Sequence, residues 1–155
     1  MNIVLRKSEA KDWQTIQKLN SEVYENSFQF DKYLKQNDPF TIESESDYKK
    51  TVVDIDKFCM IAEVDGVPAG YLVGGENNYP YRTNRRGEIF HMGSSPNFRS
   101  LGIGTLLVSE FKNWCKQRGI THIATSAYYN DPKARHFYEK QGMHPLDVTL
   151  EGIIG

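Results

Sequence analysis

A turn containing two glycines, Gly102 and Gly104, joins a predicted strand to a predicted helix, and it limits the possible folds of this chain more than any other feature. The strand covers residues 88–94. The helix after the turn has an apolar side formed by Leu106, Leu107, Phe111, Trp114 and Cys115. The first turn of a helix presents unpaired N–H groups and a partial positive charge, which together favour a phosphate group. Glycine lets the backbone approach phosphate oxygens closely. The segment therefore predicts an α/β fold with a phosphate site at this turn.

Two common nucleotide-binding loops do not fit this segment. A dinucleotide loop requires a third glycine where this chain has Leu107, and a P-loop requires Gly-Lys-Ser/Thr, which is absent. A nucleotide switch or a kinase is disfavoured for the same reason, since the motif lysine and an evident magnesium site are both missing.

The remaining pattern predicts alternating strands and helices in one domain over residues 1–155. Asp65-Gly66 supplies the positive φ of a tight turn and predicts a hairpin between strands 58–64 and 67–73. Asp131-Pro132 predicts a helix start as N-cap and first residue, and Gly119 and Gly142 predict helix ends. The other predicted elements are a strand at 3–5, a helix with apolar positions Trp13, Ile16, Leu19 and Val23, a helix at 48–55, and strands at 120–127 and 148–154. The segment 26–47 has an irregular pattern, which leaves a broken helix or a loop open.

Composition points to an ordinary globular protein of the cytoplasm. The chain is 39% hydrophobic and 25% charged, without an apolar run long enough for a membrane span or a secretory signal. Cys59 and Cys115 form no CxxC pair and are expected to be buried, and the four histidines show no metal-ligand spacing, so no metal is expected. A net charge of −1 argues against nucleic-acid binding. Residues 1–75 hold 9 basic and 13 acidic side chains and residues 76–155 hold 10 and 7, a division that suits a cationic substrate and an anionic cofactor.

The turn and three other segments, which are a strand, a helix and the hairpin, resemble the motifs of one protein family. Arg99-Ser-Leu-Gly-Ile-Gly104 resembles the (Q/R)xxGx(G/A) signature of the GNAT superfamily of N-acetyltransferases. The preceding strand 88–94 and the helical segment Asn130–Met143 resemble the family's neighbouring motifs in the same order, and the hairpin fits as well. The specific resemblance covers roughly residues 58–143, while the first 57 residues agree only in general outline.

The resemblance implies an α/β fold with a mixed, mostly antiparallel, splayed central sheet that has helices on both faces. It also implies that acetyl-CoA, as co-substrate, places its pantetheine arm in the gap between diverging strands. The residues that the resemblance assigns to the cofactor are Met92, Gly93 and Ser94 on the strand, Arg99, Ser100, Leu101, Gly102, Ile103, Gly104 and Thr105 in the loop, and Asn130, Asp131 and Lys133 at the next helix.

Acyl transfer to an amine needs a base for the amine and a donor for the leaving thiolate. By the resemblance, Tyr138 matches the slot of the acid and Glu88 that of a catalytic glutamate. His91 competes as base, because the pKa of an unperturbed imidazole is about 6.5. Strand alternation places Glu88 and His91 on opposite faces unless a β-bulge intervenes.

The chain departs from the family pattern in three places. Gly93-Ser94 replaces an apolar pair, Ser100 stands where glycine is frequent, and Asp131 occupies the slot of an asparagine. Asn130 is adjacent to Asp131, so either could contact the cofactor, and Asp131 could also simply cap the helix.

The predicted function is N-acetylation of a primary amine by direct transfer in a ternary complex, which makes the chain an acyltransferase. The alternative is a non-catalytic acyl-CoA-binding sensor or partner module. The acceptor could be a small-molecule amine or an amine of a peptide or protein. Tyr79, Tyr81, Tyr128 and Tyr129 could line its pocket or pack plainly at the rim. The resemblance leaves a homodimer open.

Overall fold

The computed structural model describes all residues, 1–155. Its strands are β1 (Ile3–Lys7), β2 (Lys57–Val64), β3 (Val67–Glu76), β4 (Arg86–Ser94) and β5 (His122–Thr125). Its α-helices are α1 (Trp13–Ser27), α2 (Ile42–Thr51), α3 (Ile103–Gln117) and α4 (Pro132–Lys140). Short 3-10 turns cover Ala10–Asp12, Asp38–Phe40 and Pro96–Phe98.

The five strands form one sheet in the order β1-β2-β3-β4-β5. The first three pairings are antiparallel, and β4 pairs with β5 in parallel. The predicted mixed, mostly antiparallel sheet is therefore confirmed. The β2–β3 hairpin turns at Asp65 and Gly66 with φ of 50° and 82°, positive values at both central residues as a tight two-residue turn requires.

Helices cover both faces of the sheet, as predicted. On one face, Ile103, Leu107 and Phe111 of α3 pack on the sheet in a cluster of 12 buried residues. Phe137 and Tyr138 of α4 pack against the same cluster. On the other face, α1 and α2 bury a second cluster of 8 residues, which includes Ile16, Leu19, Tyr48, Ile61 and Tyr71. Along β2 and β3, residues alternate between these clusters because neighbouring side chains point to opposite faces.

The strand predicted at 120–127 is shorter in the structure, His122–Thr125, and two other predicted elements differ more. The helix expected at 48–55 runs over Ile42–Thr51, because Thr41 caps it by accepting a hydrogen bond from Ser44 N at 3.1 Å. The strand expected at 148–154 is wrong, because this segment has no regular structure and Leu150, Ile153 and Ile154 are exposed. An apolar run becomes a strand only where a neighbouring strand accepts its backbone hydrogen bonds, and no strand pairs with this segment.

No helix of the chain combines the length and the apolar character that a membrane crossing requires.

Candidate active site

The loop between β4 and α3 presents an unbroken run of free backbone donors. None of the N–H groups of residues 99–105 donates a hydrogen bond within the chain. The N-cap of α3 is Gly102, whose φ is 81° and which has no side chain to satisfy them. The buried side chain of Ile103 anchors the start of the helix in the core. Such a run of donors at a helix N-terminus suits a diphosphate.

Two positions of this loop favour glycine for different structural reasons. Ser100 adopts φ of 65°, the left-handed region that glycine enters without penalty, where the family pattern often has glycine. Gly104 lies against α4, and a Cβ there would stand 3.0 Å from the Phe137 ring. The bare Gly104 therefore serves helix packing directly, in addition to any approach of a phosphate.

A gap opens beside β4 where its neighbour diverges. β4 pairs with β3 as far as Ser94, but it pairs with β5 only over residues 86–89. Thr125 Oγ1 donates to the carbonyl oxygen of Ile89 at 3.2 Å, and this bond closes the inner end of the gap. Beyond it, residues 90–94 keep one edge unpaired, where an extended amide-containing chain could add like a strand. Met92, Gly93 and Ser94 lie on this edge.

The close packing of α1 on β4 explains why position 93 is a glycine where the family pattern has an apolar residue. Helix α1 crosses β4 so closely that a Cβ on Gly93 would lie 2.3 Å from Val23 Cγ2. A larger residue at this position requires a shift of α1 or a new rotamer of Val23.

Tyr138 lies at the closed end of the gap, next to Thr125. Burial raises the pKa of the Tyr138 phenol, the neighbouring Thr125 hydroxyl opposes the shift, and the charge of Asp131 raises the pKa further. The phenol is therefore protonated at neutral pH, as a donor to a thiolate must be.

A β-bulge brings Glu88 and His91 to the same face of the sheet. Glu88 pairs with Gly75 and His91 with Val73, so Phe90 is the extra residue between them. Because the bulge breaks the alternation, both side chains lie on the face covered by α1. The regular-strand expectation of opposite faces therefore does not apply.

The two candidate bases have different surroundings. Glu88 accepts from Asn77 Nδ2 at 3.0 Å and from Arg86 Nη2 at 3.3 Å, and the guanidinium of Arg86 is itself buried. His91 Nδ1 lies 2.9 Å from the Tyr71 hydroxyl. Burial lowers the pKa of His91 to about 4, so its imidazole is neutral at pH 7 and a weak base.

Sequence reasoning missed Tyr71 and Asn20 beside His91. Asn20 Nδ2 donates to the Tyr71 hydroxyl at 2.9 Å, which continues the hydrogen-bonded chain from His91. The available signal was position 20 itself, a polar residue at helical spacing from the apolar Ile16 and Val23. Tyr71 carried no signal, because nothing in the hairpin sequence distinguishes it from a core aromatic residue.

At the start of α4, Asp131 Oδ1 accepts from Ala134 N at 3.1 Å, which confirms the capping interpretation. Asn130 and Lys133 are exposed beside it and keep their side chains free for a ligand.

The tyrosines that could line an acceptor pocket form two separate stacks. Tyr128 stacks on Phe30 with ring centroids 5.5 Å apart. Tyr79 stacks on Tyr81 at 5.4 Å, and the Arg86 guanidinium lies 3.8 Å from the Tyr79 ring. Tyr129 is exposed, with Arg135 against its ring.

A model of the Acetyltransferase (GNAT) family matches residues 13–143, which is most of the chain. The chain belongs to this family. The GNAT match extends well beyond the signature loop, from the first residue of α1 to the residues after α4.

Solved structures share this GNAT fold at low sequence identity. A variant of the BH1408 protein from Bacillus halodurans is 18% identical with a TM-score of 0.85, over 97% of this chain and 99% of that one. A ribosomal-protein-alanine N-acetyltransferase from Brucella melitensis biovar Abortus 2308 is 18% identical with a TM-score of 0.70, over the full length of both chains. AAC(6')-Iy, solved with the bisubstrate analog CoA-S-monomethyl-acetylneamine, is 13% identical with a TM-score of 0.75, over 100% of this chain and 99% of that one.

Proposed function

We propose that this GNAT protein transfers the acetyl group of acetyl-CoA directly to a primary amine in a ternary complex, with residues 1–155 acting as one catalytic domain. One observation carries the proposal. A run of seven free amides at residues 99–105, an unpaired strand edge at 90–94 and the half-buried phenol of Tyr138 follow one another along the same path. Diphosphate, pantetheine amides and thioester follow one another in the same order in coenzyme A.

The proposed cofactor contacts divide along this path. The amides of Arg99 through Thr105 hold the pyrophosphate, and the edge formed by Met92, Gly93 and Ser94 pairs with the pantetheine amides. The exposed Asn130 and Lys133 at the start of α4 are free to contact the nucleotide end. Asp131 contributes indirectly, by capping α4, because its Oδ1 already accepts a hydrogen bond from Ala134 N.

The proposed chemistry needs no covalent intermediate on the protein. The amine nitrogen attacks the thioester carbon, and the carbonyl π electrons move to oxygen. Collapse of the tetrahedral intermediate re-forms the carbonyl and breaks the C–S bond. The Tyr138 hydroxyl gives its proton to the departing thiolate, and the phenol regains a proton from water after the free thiol leaves. The proton lost by the amine passes to Glu88 through water, because each Glu88 carboxylate oxygen keeps a lone pair beyond its bond to Asn77 or Arg86.

The acceptor is proposed only as a primary amine. The neighbours with printed activities acetylate different acceptors, aminoglycosides in one group and a ribosomal-protein alanine in another. The stack of Phe30 and Tyr128 and the nearby Asp31, whose charge contributes to the raised pKa of Tyr128, favour an acceptor that is cationic before it is deprotonated.

Release of free thiol from acetyl-CoA over a panel of amines tests the proposal. Turnover with at least one amine is expected, and Tyr138→Phe should reduce kcat by about 10²-fold or more, in the range of general acid–base catalysis. Calorimetry should show unchanged coenzyme A affinity in that variant, because the phenyl ring keeps its packing. Tyr33→Phe is the matched control, because Tyr33 is exposed.

The outcomes separate the candidate functions. Coenzyme A binding without turnover on any amine would favour the non-catalytic sensor or partner module. Absence of coenzyme A binding would refute both functions. Full turnover of Tyr138→Phe would remove Tyr138 from the mechanism.

A further inference from the structure

A chain of four hydrogen-bonding side chains crosses the face of the sheet beneath α1. The Tyr48 hydroxyl of α2 donates to Asn20 Oδ1 of α1. Asn20 Nδ2 lies 2.9 Å from the Tyr71 hydroxyl, and this hydroxyl lies 2.9 Å from His91 Nδ1. The chain begins at the buried Tyr48 and ends at the candidate site on β4.

Counting donors fixes the direction of this chain. With Asn20 Oδ1 toward Tyr48, the Tyr48 proton has an acceptor and Asn20 Nδ2 donates to the oxygen of Tyr71. The reversed amide would leave the buried Tyr48 hydroxyl with a proton and no acceptor in the chain. Buried donors without partners are rare and costly, so the first arrangement is favoured. The Tyr71 hydroxyl then directs its own proton to His91 Nδ1.

This direction determines the tautomer of His91. An imidazole nitrogen that accepts a hydrogen bond carries no proton, so Nδ1 is bare. Burial lowers the pKa of His91 to about 4, which keeps the ring neutral at pH 7. The single ring proton of neutral His91 must then reside on Nε2.

The protonated nitrogen is available to a ligand. His91 Nε2 has no hydrogen-bond partner within the chain. The only buried side-chain atom without a partner is Glu22 Oε2, so His91 Nε2 is not fully buried. His91 follows the bulge at Phe90, within the unpaired run 90–94 next to the closed end of the gap. Tyr138 lies close enough to Tyr71 for its charge to contribute to the raised pKa of Tyr71.

We infer that His91 is a neutral hydrogen-bond donor, through Nε2–H, to the acyl carbonyl oxygen of the bound thioester, and that Tyr48, Asn20 and Tyr71 are positioning residues that impose this tautomer. The inference rests on the proposed function and assigns His91 a role other than that of the base. When the amine attacks, the carbonyl oxygen gains negative charge, and the Nε2–H bond strengthens without transfer of its proton. The amine proton leaves by the separate route through Glu88.

The tautomer can be measured without any substrate. In ¹⁵N-histidine-labelled protein of 17.8 kDa, long-range ¹H–¹⁵N spectra distinguish a protonated ring nitrogen from a bare one. We expect His91 to show a bare Nδ1 and a protonated Nε2 at pH 7. Tyr71→Phe should convert it to a mixture of tautomers, and Tyr48→Phe, which frees Asn20 to reverse, provides the same test if Tyr71→Phe does not fold. A protonated Nδ1 in the unaltered protein would overturn the inference.

Activity tests the donor role independently. His91→Gln keeps an N–H near the position of Nε2 but cannot act as a base, whereas His91→Ala removes both functions. We expect His91→Gln to retain kcat within about fivefold and His91→Ala to lose about 10²-fold, as for one oxyanion donor. Equal losses in the two variants would overturn the donor role. The tautomer measurement needs no turnover, so an inactive protein with the expected tautomer would refute the proposed function and leave the tautomer assignment standing.

Discussion

The close crossing of α1 over β4 makes Gly93→Ala the sharpest test of the packing around the site. The new Cβ would lie 2.3 Å from Val23 Cγ2, whereas ordinary van der Waals contact begins at 3.4 Å. The strand is held by β3 on one side and lies beneath α1, so more than an ångström of movement must come from the helix or from a rotamer change.

Overpacking of this kind costs roughly 1–3 kcal/mol. A central loss of about 2 kcal/mol would shift the urea midpoint by about 1 M, at an m-value of about 2 kcal/mol/M. Val23→Ala removes the atom that clashes and by itself costs about 1 kcal/mol for two partly buried methyl groups. The double variant should therefore be more stable than the sum of the single effects predicts, by about 1–2 kcal/mol.

Urea unfolding followed by circular dichroism measures all three variants, with Gly152→Ala as the matched control, because a Cβ at Gly152 meets nothing within 4 Å. Because α1 also carries Asn20, Gly93→Ala should lower turnover as well, and Val23→Ala should restore part of it. A Gly93→Ala protein as stable as the unaltered one would refute this account of the packing. So would a double variant whose losses simply add.

Two further predictions follow from buried titratable groups. Between pH 6.5 and about 4, the unfolded chain binds a proton at His91 that the folded protein does not bind, since the folded pKa is about 4. As the pH is lowered through this window, the free energy of unfolding should therefore decrease by up to roughly 3 kcal/mol more than in His91→Gln. Equal urea-midpoint profiles for the two proteins would contradict this prediction. Burial raises the pKa of the Cys115 thiol to about 11 and also raises that of Cys59, so a disulfide reagent at pH 8 should modify both thiols only in denaturant, and rapid labelling of the native protein would show that one of them is accessible.

The local elements of this protein were encoded in short stretches of its sequence. Asp65-Gly66 predicted the hairpin turn, Asp131-Pro132 predicted the start of α4, and Gly119 and Gly142 predicted helix ends, where φ is 72° and 90°. Each of these signals works through the backbone of a few neighbouring residues, which is why it could be recognised without the fold. The family resemblance around Arg99–Gly104 was confirmed, while the residue roles it implies remain predictions.

The arrangement of the candidate site depends on contacts between residues distant in the chain. The bulge that places Glu88 and His91 on one face arises from pairing with β3, and no feature of the β4 sequence encodes it. The state of His91 depends on Tyr71, 20 residues away, and the link from Tyr71 to Asn20 spans 51 residues. The apolar run at 148–154 needed a strand partner that the sheet does not provide. Sequence determined the backbone conformations that are local, whereas burial, pairing and proton positions exist only after the elements pack together.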